Sequence, residues 1–254
     1  MNTDLKPFLC ASVALCWRIV ETQEKAATRE ITDTAEEQSR LELLLDEVKP
    51  PVPEDCQGLS YLLMTPFRYP PLRYGSRFGS PWERGIFYGS TALKTACAES
   101  AVYFWLFQSG PINMGALETI RDHRTALSVR LASERVLRLE TIDFGEQGGE
   151  LNNPASWGFT QALGKASRAL DAEFMTYPSA RLNHDLNVAV LSPKSFACSE
   201  PDEQQLWYVR LSKEVCWFGR PDGESVEFYR KDFEVDGQIP HPSLAQMSRI
   251  KIVR

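Results

Sequence analysis

Histidine is scarce in this sequence. Its three copies, His123, His184 and His241, fall in neither an H-E-x-x-H pattern nor any Cys/His metal spacing, so no metal site is expected. The six cysteines, at positions 10, 16, 56, 97, 198 and 216, include no C-x-x-C pair and read as small buried thiols. No G-x-x-x-x-G-K-[ST] occurs, and Gly145, Gly148 and Gly149 do not complete G-x-G-x-x-G, so neither phosphate-binding loop is supported. In Gly75-Ser76-Arg77-Phe78-Gly79 the serine directly follows the first glycine, which excludes the G-x-S-x-G nucleophile elbow.

Long apolar runs are lacking too. The longest uncharged stretch, 100–117, is interrupted by Gln108, Ser109, Gly110, Pro111 and Asn113, which a membrane-spanning helix would not tolerate. The short apolar run at 8–17 leads into no small-residue cleavage pattern, so no export signal is expected and a cytoplasmic location is. A basic excess is missing as well. Lys and Arg number 28 against 34 Asp and Glu, a net charge of −6, which speaks against a nucleic-acid surface.

What is present is an ordinary globular composition: 254 residues, 43% hydrophobic, 24% charged and 11% aromatic, enough to bury a core without staples. The spacing of apolar residues predicts two amphipathic helices within residues 1–55, ended by Pro50-Pro51-Val52-Pro53. A Pro- and Arg-punctuated segment, 65–79, is too rich in turn formers for a long element. A strand at 85–88 then runs into a helix over about 91–107, with Ser90 and Thr91 as candidate N-caps. From Ala126 the period becomes two, giving strands around 127–131 and 136–139. A helix over about 160–172 follows, then strands at 186–191, 206–211, 215–218 and 226–229, the last two joined by a Pro221-Asp222-Gly223 turn. Helices and strands mix without a βαβ beat, so the class is α+β.

Four residues stand out. Glu99 is the one charged side chain between Lys94 and Glu118, on a mostly apolar helix, where a carboxylate must be paired or functional or suffer desolvation. Tyr88 ends an apolar strand. Arg77 lies between Gly75 and Gly79, where backbone approaches a ligand closely and a guanidinium can fork onto phosphate. Ser179 sits in Tyr177-Pro178-Ser179-Ala180-Arg181. Each alone has a bland explanation as a salt-bridged acid, a core tyrosine, a loop charge or a turn residue.

As an ordered set, Arg77-Phe78-Gly79, Gly85-Ile86-Phe87-Tyr88, Ala96-Cys97-Ala98-Glu99, Tyr177-Pro178-Ser179-Ala180-Arg181 and Leu186-Asn187-Val188 resemble the RES domain, a family of bacterial toxins paired with Xre-type helix-turn-helix antitoxins. The Trp157 region looks like the family's mid-domain segment, and the resemblance spans roughly 60–195. It implies an ADP-ribosyltransferase-like fold, a split antiparallel sheet with flanking helices. It also implies destruction of NAD at the nicotinamide–ribose bond, with water or inorganic phosphate as acceptor. Arg77, Tyr88, Glu99 and Ser179 inherit the active-site positions, with Arg181 and Asn187 as secondary substrate-binding candidates. NAD is then a substrate, and no cofactor is expected.

The expected organisation is a helical N-terminal extension (1–59), a catalytic core (60–195) and C-terminal strands or a hairpin (196–254) completing or extending it. The extension suits docking of an antitoxin or a second copy of the chain, or equally a brace on the core. The chain departs from a minimal RES domain in both appendages and in an insert, Ser80-Pro81-Trp82-Glu83-Arg84, that bears on the pocket mouth and the partner surface.

In the expected chemistry, Glu99 places negative charge beside an oxocarbenium ion, Arg77 grips the pyrophosphate, Tyr88 walls off the nicotinamide and Ser179 orients the ribose or amide. Arg181 would hold phosphate if that is the acceptor. The same residues also fit a protein mono-ADP-ribosyltransferase, and the non-enzymatic alternative is an antitoxin-binding or interaction module.

Overall fold

A computed structural model describes residues 4–22, 31–71, 73–108 and 119–242. These form eight strands and four helices: β1 (Leu9–Glu21), α1 (Ala35–Glu47), α2 (Tyr61–Arg68), β2 (Phe87–Ser90), α3 (Leu93–Gln108), β3 (Thr119–Arg138), α4 (Gly158–Ala169), β4 (Phe174–Pro178), β5 (Leu186–Val190), β6 (Glu203–Ser212), β7 (Val215–Gly219) and β8 (Ser225–Tyr229). The α+β class and the flanking helices are as expected. No described helix is long and apolar enough to cross a membrane.

The sheet runs β1-β2-β5-β4-β3-β6-β7-β8, and β1 also pairs with β3, so β1, β2, β5, β4 and β3 close into a ring. The long strand β3 is where the sheet splits. One edge pairs with β1 from Arg124 to Leu137, while the other serves β6 over Thr119–Ser128 and β4 over Val136–Arg138. All pairings are antiparallel except β3–β4, which α4 connects as a crossover. The two expected strands around 127–139 are one continuous strand, since neither Gly nor Pro interrupts them.

Residues 9–21 correct the expected first helix. They form β1, the strand that closes the ring. A short apolar run fits a strand as well as a helix, and β-branched Ile19 and Val20, packed into the clusters on opposite faces of the sheet, fit the strand here. The second expected helix exists as α1, with Leu43, Leu44 and Leu45 exposed, Leu43 by 68%. Two elements escaped the sequence reading. α2 carries Pro66 in its last turn, and β4 is a buried five-residue strand with no alternation to mark it.

Ser90 and Thr91, expected as caps of α3, instead use their hydroxyls on β5, Ser90 Oγ donating to Asn187 Oδ1 (2.6 Å) and Thr91 Oγ1 to the Leu186 carbonyl (3.1 Å). The β7–β8 hairpin turns through Gly223 at φ +94°, as its sequence foretold. The core lies on both sides of the sheet, and α3 presses Cys97, Ala98, Ala101, Val102 and Trp105 onto Ala126, Trp207 and Phe218. Small side chains at 97, 98 and 101 let the helix lie close to the strands, leaving the opposite stripe free to face a cavity.

Candidate active site

That stripe is Ala96, Glu99, Ser100 and Tyr103, spaced at one face of a helix. It lines a cavity of about 550 Å³. Among the described residues its wall holds four arginines, Arg18, Arg77, Arg124 and Arg181, against a single carboxylate, Glu99. Arg124 is already neutralised by Glu21 (3.2 Å) and Asp122. The remaining surplus of positive charge suits an anionic ligand.

Glu99 is held from three directions. Asn187 Nδ2 on β5 donates to its Oε1 at 2.6 Å, and Ser179 Oγ donates to the same oxygen at 2.9 Å. Arg181 Nε stands 3.9 Å from Oε2. Asn187 is itself fixed by Ser90, and Arg181 by a bond from Nη2 to the Pro240 carbonyl (3.3 Å). A quarter of the Glu99 side chain remains exposed, so one carboxylate is presented to the cavity in a fixed pose. Burial pulls the Arg181 guanidinium below its ordinary value, against the opposing effect of Glu99.

Ser179 differs from expectation. It is buried behind Glu99 rather than on the cavity wall, and its oxygen also accepts the backbone N–H groups of Arg181 (3.1 Å) and Leu182 (3.2 Å). Its hydroxyl is therefore fully engaged in positioning Glu99 and the turn after β4.

Arg77 rides on a tight turn in which Ser76 N donates to the Gly79 carbonyl (2.7 Å), with Gly75 at φ +77°. Two side chains clamp this turn. Tyr88 Oη accepts from Phe78 N (2.9 Å) and bonds Ser76 Oγ (2.9 Å), while Gln161 Nε2 on α4 donates to the Tyr74 (3.2 Å) and Ser76 (3.1 Å) carbonyls. Arg77 Nη1 in turn donates to the Leu151 and Asn153 carbonyls, at 3.2 and 3.1 Å. Burial raises the Tyr88 and Tyr177 hydroxyls above their ordinary values, and burial beside Glu99 pushes Tyr103 up to about 12. All three are neutral at physiological pH.

The 80–84 insert turns outward. Trp82 is 94% exposed, Arg84 pairs with Asp55 (2.6 Å), and none of the five residues lines the cavity.

Sequence reading missed three residues. Gln161 gave no signal beyond its place on an amphipathic helix. Arg18 was hidden by the misread β1. His241 lies in Pro240-His241-Pro242, remote from every motif, yet it is 5% exposed and packs edge-on against Trp157 (5.0 Å between ring centres), Tyr103 (5.4 Å) and Tyr74 (6.4 Å). Burial, with Arg181 and Arg77 nearby, holds its imidazole down at about 4, so it is neutral. Burial also drives the Cys16 and Cys216 thiols up to about 12 and raises Cys97, which leaves them unreactive at neutral pH.

The sequence model of the RES domain matches residues 52–210 of the chain. No curated protein matches it in sequence. Among solved structures, a chain of the crystal structure of the M. tuberculosis MbcT–MbcA toxin–antitoxin complex is similar at 14% identity and a TM-score of 0.42, over 95% of this chain and 91% of that one.

Proposed function

This chain belongs to the RES domain family, and from that premise we propose that it is the toxin of a toxin–antitoxin pair and that it depletes NAD by cleaving the nicotinamide–ribose bond. The observation that carries the reading is Glu99, the one carboxylate among the described residues of a cavity wall rich in arginine, held by Ser179, Asn187 and Arg181.

The leaving group accounts for this design. As the C1′–N bond breaks, its electron pair moves to the cationic ring nitrogen and nicotinamide departs neutral, so little acid catalysis is needed. The barrier lies in the positive charge growing on the ribose, which a fixed carboxylate stabilises. Glu99 fills that role, either beneath the ring or bonded to a ribose hydroxyl. Water then adds its oxygen to C1′ and releases a proton, giving ADP-ribose; phosphate in its place gives the 1″-phosphate ester. Arg77 holds the pyrophosphate, and Tyr88 acts by fixing the Arg77 turn as well as by lining the cavity. An Xre-type antitoxin is the partner proposed from the family.

The test is NAD loss by the purified protein, with and without phosphate, beside Glu99→Ala. Loss that requires Glu99 supports the reading, and phosphate dependence separates phosphorolysis from hydrolysis. Label from NAD accumulating on protein would instead indicate a protein ADP-ribosyltransferase. No loss by folded protein under any condition would refute enzymatic NAD cleavage and favour an interaction module.

A further inference from the structure

α3 covers one side of β3, β6, β7 and β8, and the other side of these strands carries exposed side chains. Val209 and Leu211 on β6, Cys216 and Phe218 on β7 and Phe228 on β8 pack under α3, so their neighbours in sequence point away from it. The register sets those outward residues in rows across the four strands. Arg121 is opposite Arg210, Arg210 opposite Trp217 and Trp217 opposite Glu227. In the next row His123 is opposite Tyr208 and Tyr208 opposite Gly219. Arg121, His123, Tyr208 and Arg210 are all exposed.

Two features of this face point to a ligand. Like charges directly across a strand pair oppose each other, yet Arg121 and Arg210 are so placed, and no described carboxylate pairs with either. Glu227, the one acid in their row, stands beyond Trp217 and accepts from Tyr229 Oη (2.5 Å). Trp217 lies along β7 in the space left by Gly219, since a Cβ at 219 would meet the indole ring at 2.1 Å. The indole is thus laid down on the sheet, and it remains partly exposed. In the row of Gly219, His123 and Tyr208 meet edge-on, 4.9 Å between ring centres.

Guanidinium and aromatic surfaces side by side match a ligand that presents phosphates and flat rings in turn. We propose that this face binds single-stranded nucleic acid, with phosphates on Arg121 and Arg210 and bases stacked on Trp217 and Tyr208. A duplex keeps the faces of its bases stacked on one another, so the aromatic side chains could not reach them. An acidic protein segment would engage the two arginines and leave the rings without a partner. The net charge of −6 opposes nucleic acid over the surface as a whole, so the attraction is confined to this patch and weakens steeply with salt. The inference does not rest on the NAD reading.

The test is fluorescence anisotropy of a short labelled oligothymidylate titrated with the full chain at about 50 mM salt. Saturable binding that favours the single strand over a duplex of the same length is expected. Arg121→Gln and Arg210→Gln change exposed residues, and each should flatten the plot of log K against log salt concentration by about 0.7. Trp217→Leu should weaken binding at least about fivefold, on the scale of one lost base stack, with its fold checked by circular dichroism. No binding at low salt, equal binding of the duplex, or an unchanged slope in both arginine variants would each overturn the proposal. Displacement by a polyglutamate peptide as readily as by unlabelled oligothymidylate would also overturn it and mark an acidic protein segment as the occupant.

Discussion

Asn187 on β5 donates from Nδ2 to Glu99 Oε1 at 2.6 Å, joining the centre of the sheet to the exposed stripe of α3. Both residues stand on rigid elements, so the pose of the carboxylate is set before any ligand arrives. Replacing Glu99 by Gln keeps its shape and removes its charge. NAD cleavage is expected to fall about 10²–10³-fold, measured as kcat with the fold verified by circular dichroism.

Ser179→Ala and Asn187→Ala each remove one donor to Glu99 while leaving the carboxylate in place. Each is expected to lower kcat about 10–100-fold with KM little changed. In a Glu99→Gln background the same changes should cost far less, because the group they position has lost its charge. Additive losses would refute the positioning role.

Tyr88→Phe tests the Arg77 turn. The lost hydroxyl bonds Ser76 Oγ and accepts from Phe78 N, so the turn loosens beneath Arg77. KM for NAD is expected to rise roughly tenfold, with a smaller change in kcat.

His241 sets an acid limit on stability. Its ordinary value is 6.5 and burial holds it at about 4 in the fold, so between those values the unfolded chain binds a proton that the folded chain refuses. Stability contributed by the neutral ring is complete above pH 6.5 and falls as pH drops toward 4, by up to roughly 3 kcal/mol. His241→Phe keeps a ring among Trp157, Tyr103 and Tyr74 and cannot titrate. Urea midpoints of the two proteins should therefore diverge below pH 6.5, with wild type losing more.

Gly164 on α4 has no room for a side chain, because a Cβ there would meet the carbonyl oxygen of Phe78, the residue after Arg77. Alanine normally favours a helix interior. At 164 it is expected to destabilise by about 1–3 kcal/mol and to disturb the Arg77 turn, seen as a lower melting temperature together with a raised KM.

Glu99 stood out as a lone acid in an apolar helical stretch and Arg77 by its flanking glycines, but each alone had a bland explanation, and only the ordered set made them legible as site residues. Tyr88, Asn187 and Arg181 were legible as members of an ordered set, and the structure brings all of them to one cavity. Ser179 was found, but its place behind Glu99 depends on how β4 turns into β5, which no local pattern encodes. Arg18 was lost with β1, whose partner β3 is distant in sequence, so the run 9–20 carried no sign of pairing. His241 reaches the site only because the chain after β8 folds back over Arg181, and nothing near it in sequence announces that return.

The closure of the ring by β1 has a consequence during synthesis. Cys10 meets Val136 across 126 positions of chain, so β1 leaves the ribosome well before the strand that satisfies its edge. Until then Arg18 has no cavity to line, and Pro240 and His241, which fasten Arg181 and pack beside Tyr103, are still unmade. A nascent chain thus has no complete cavity wall until the segment carrying Pro240 and His241 has followed β1, β3 and every strand between them.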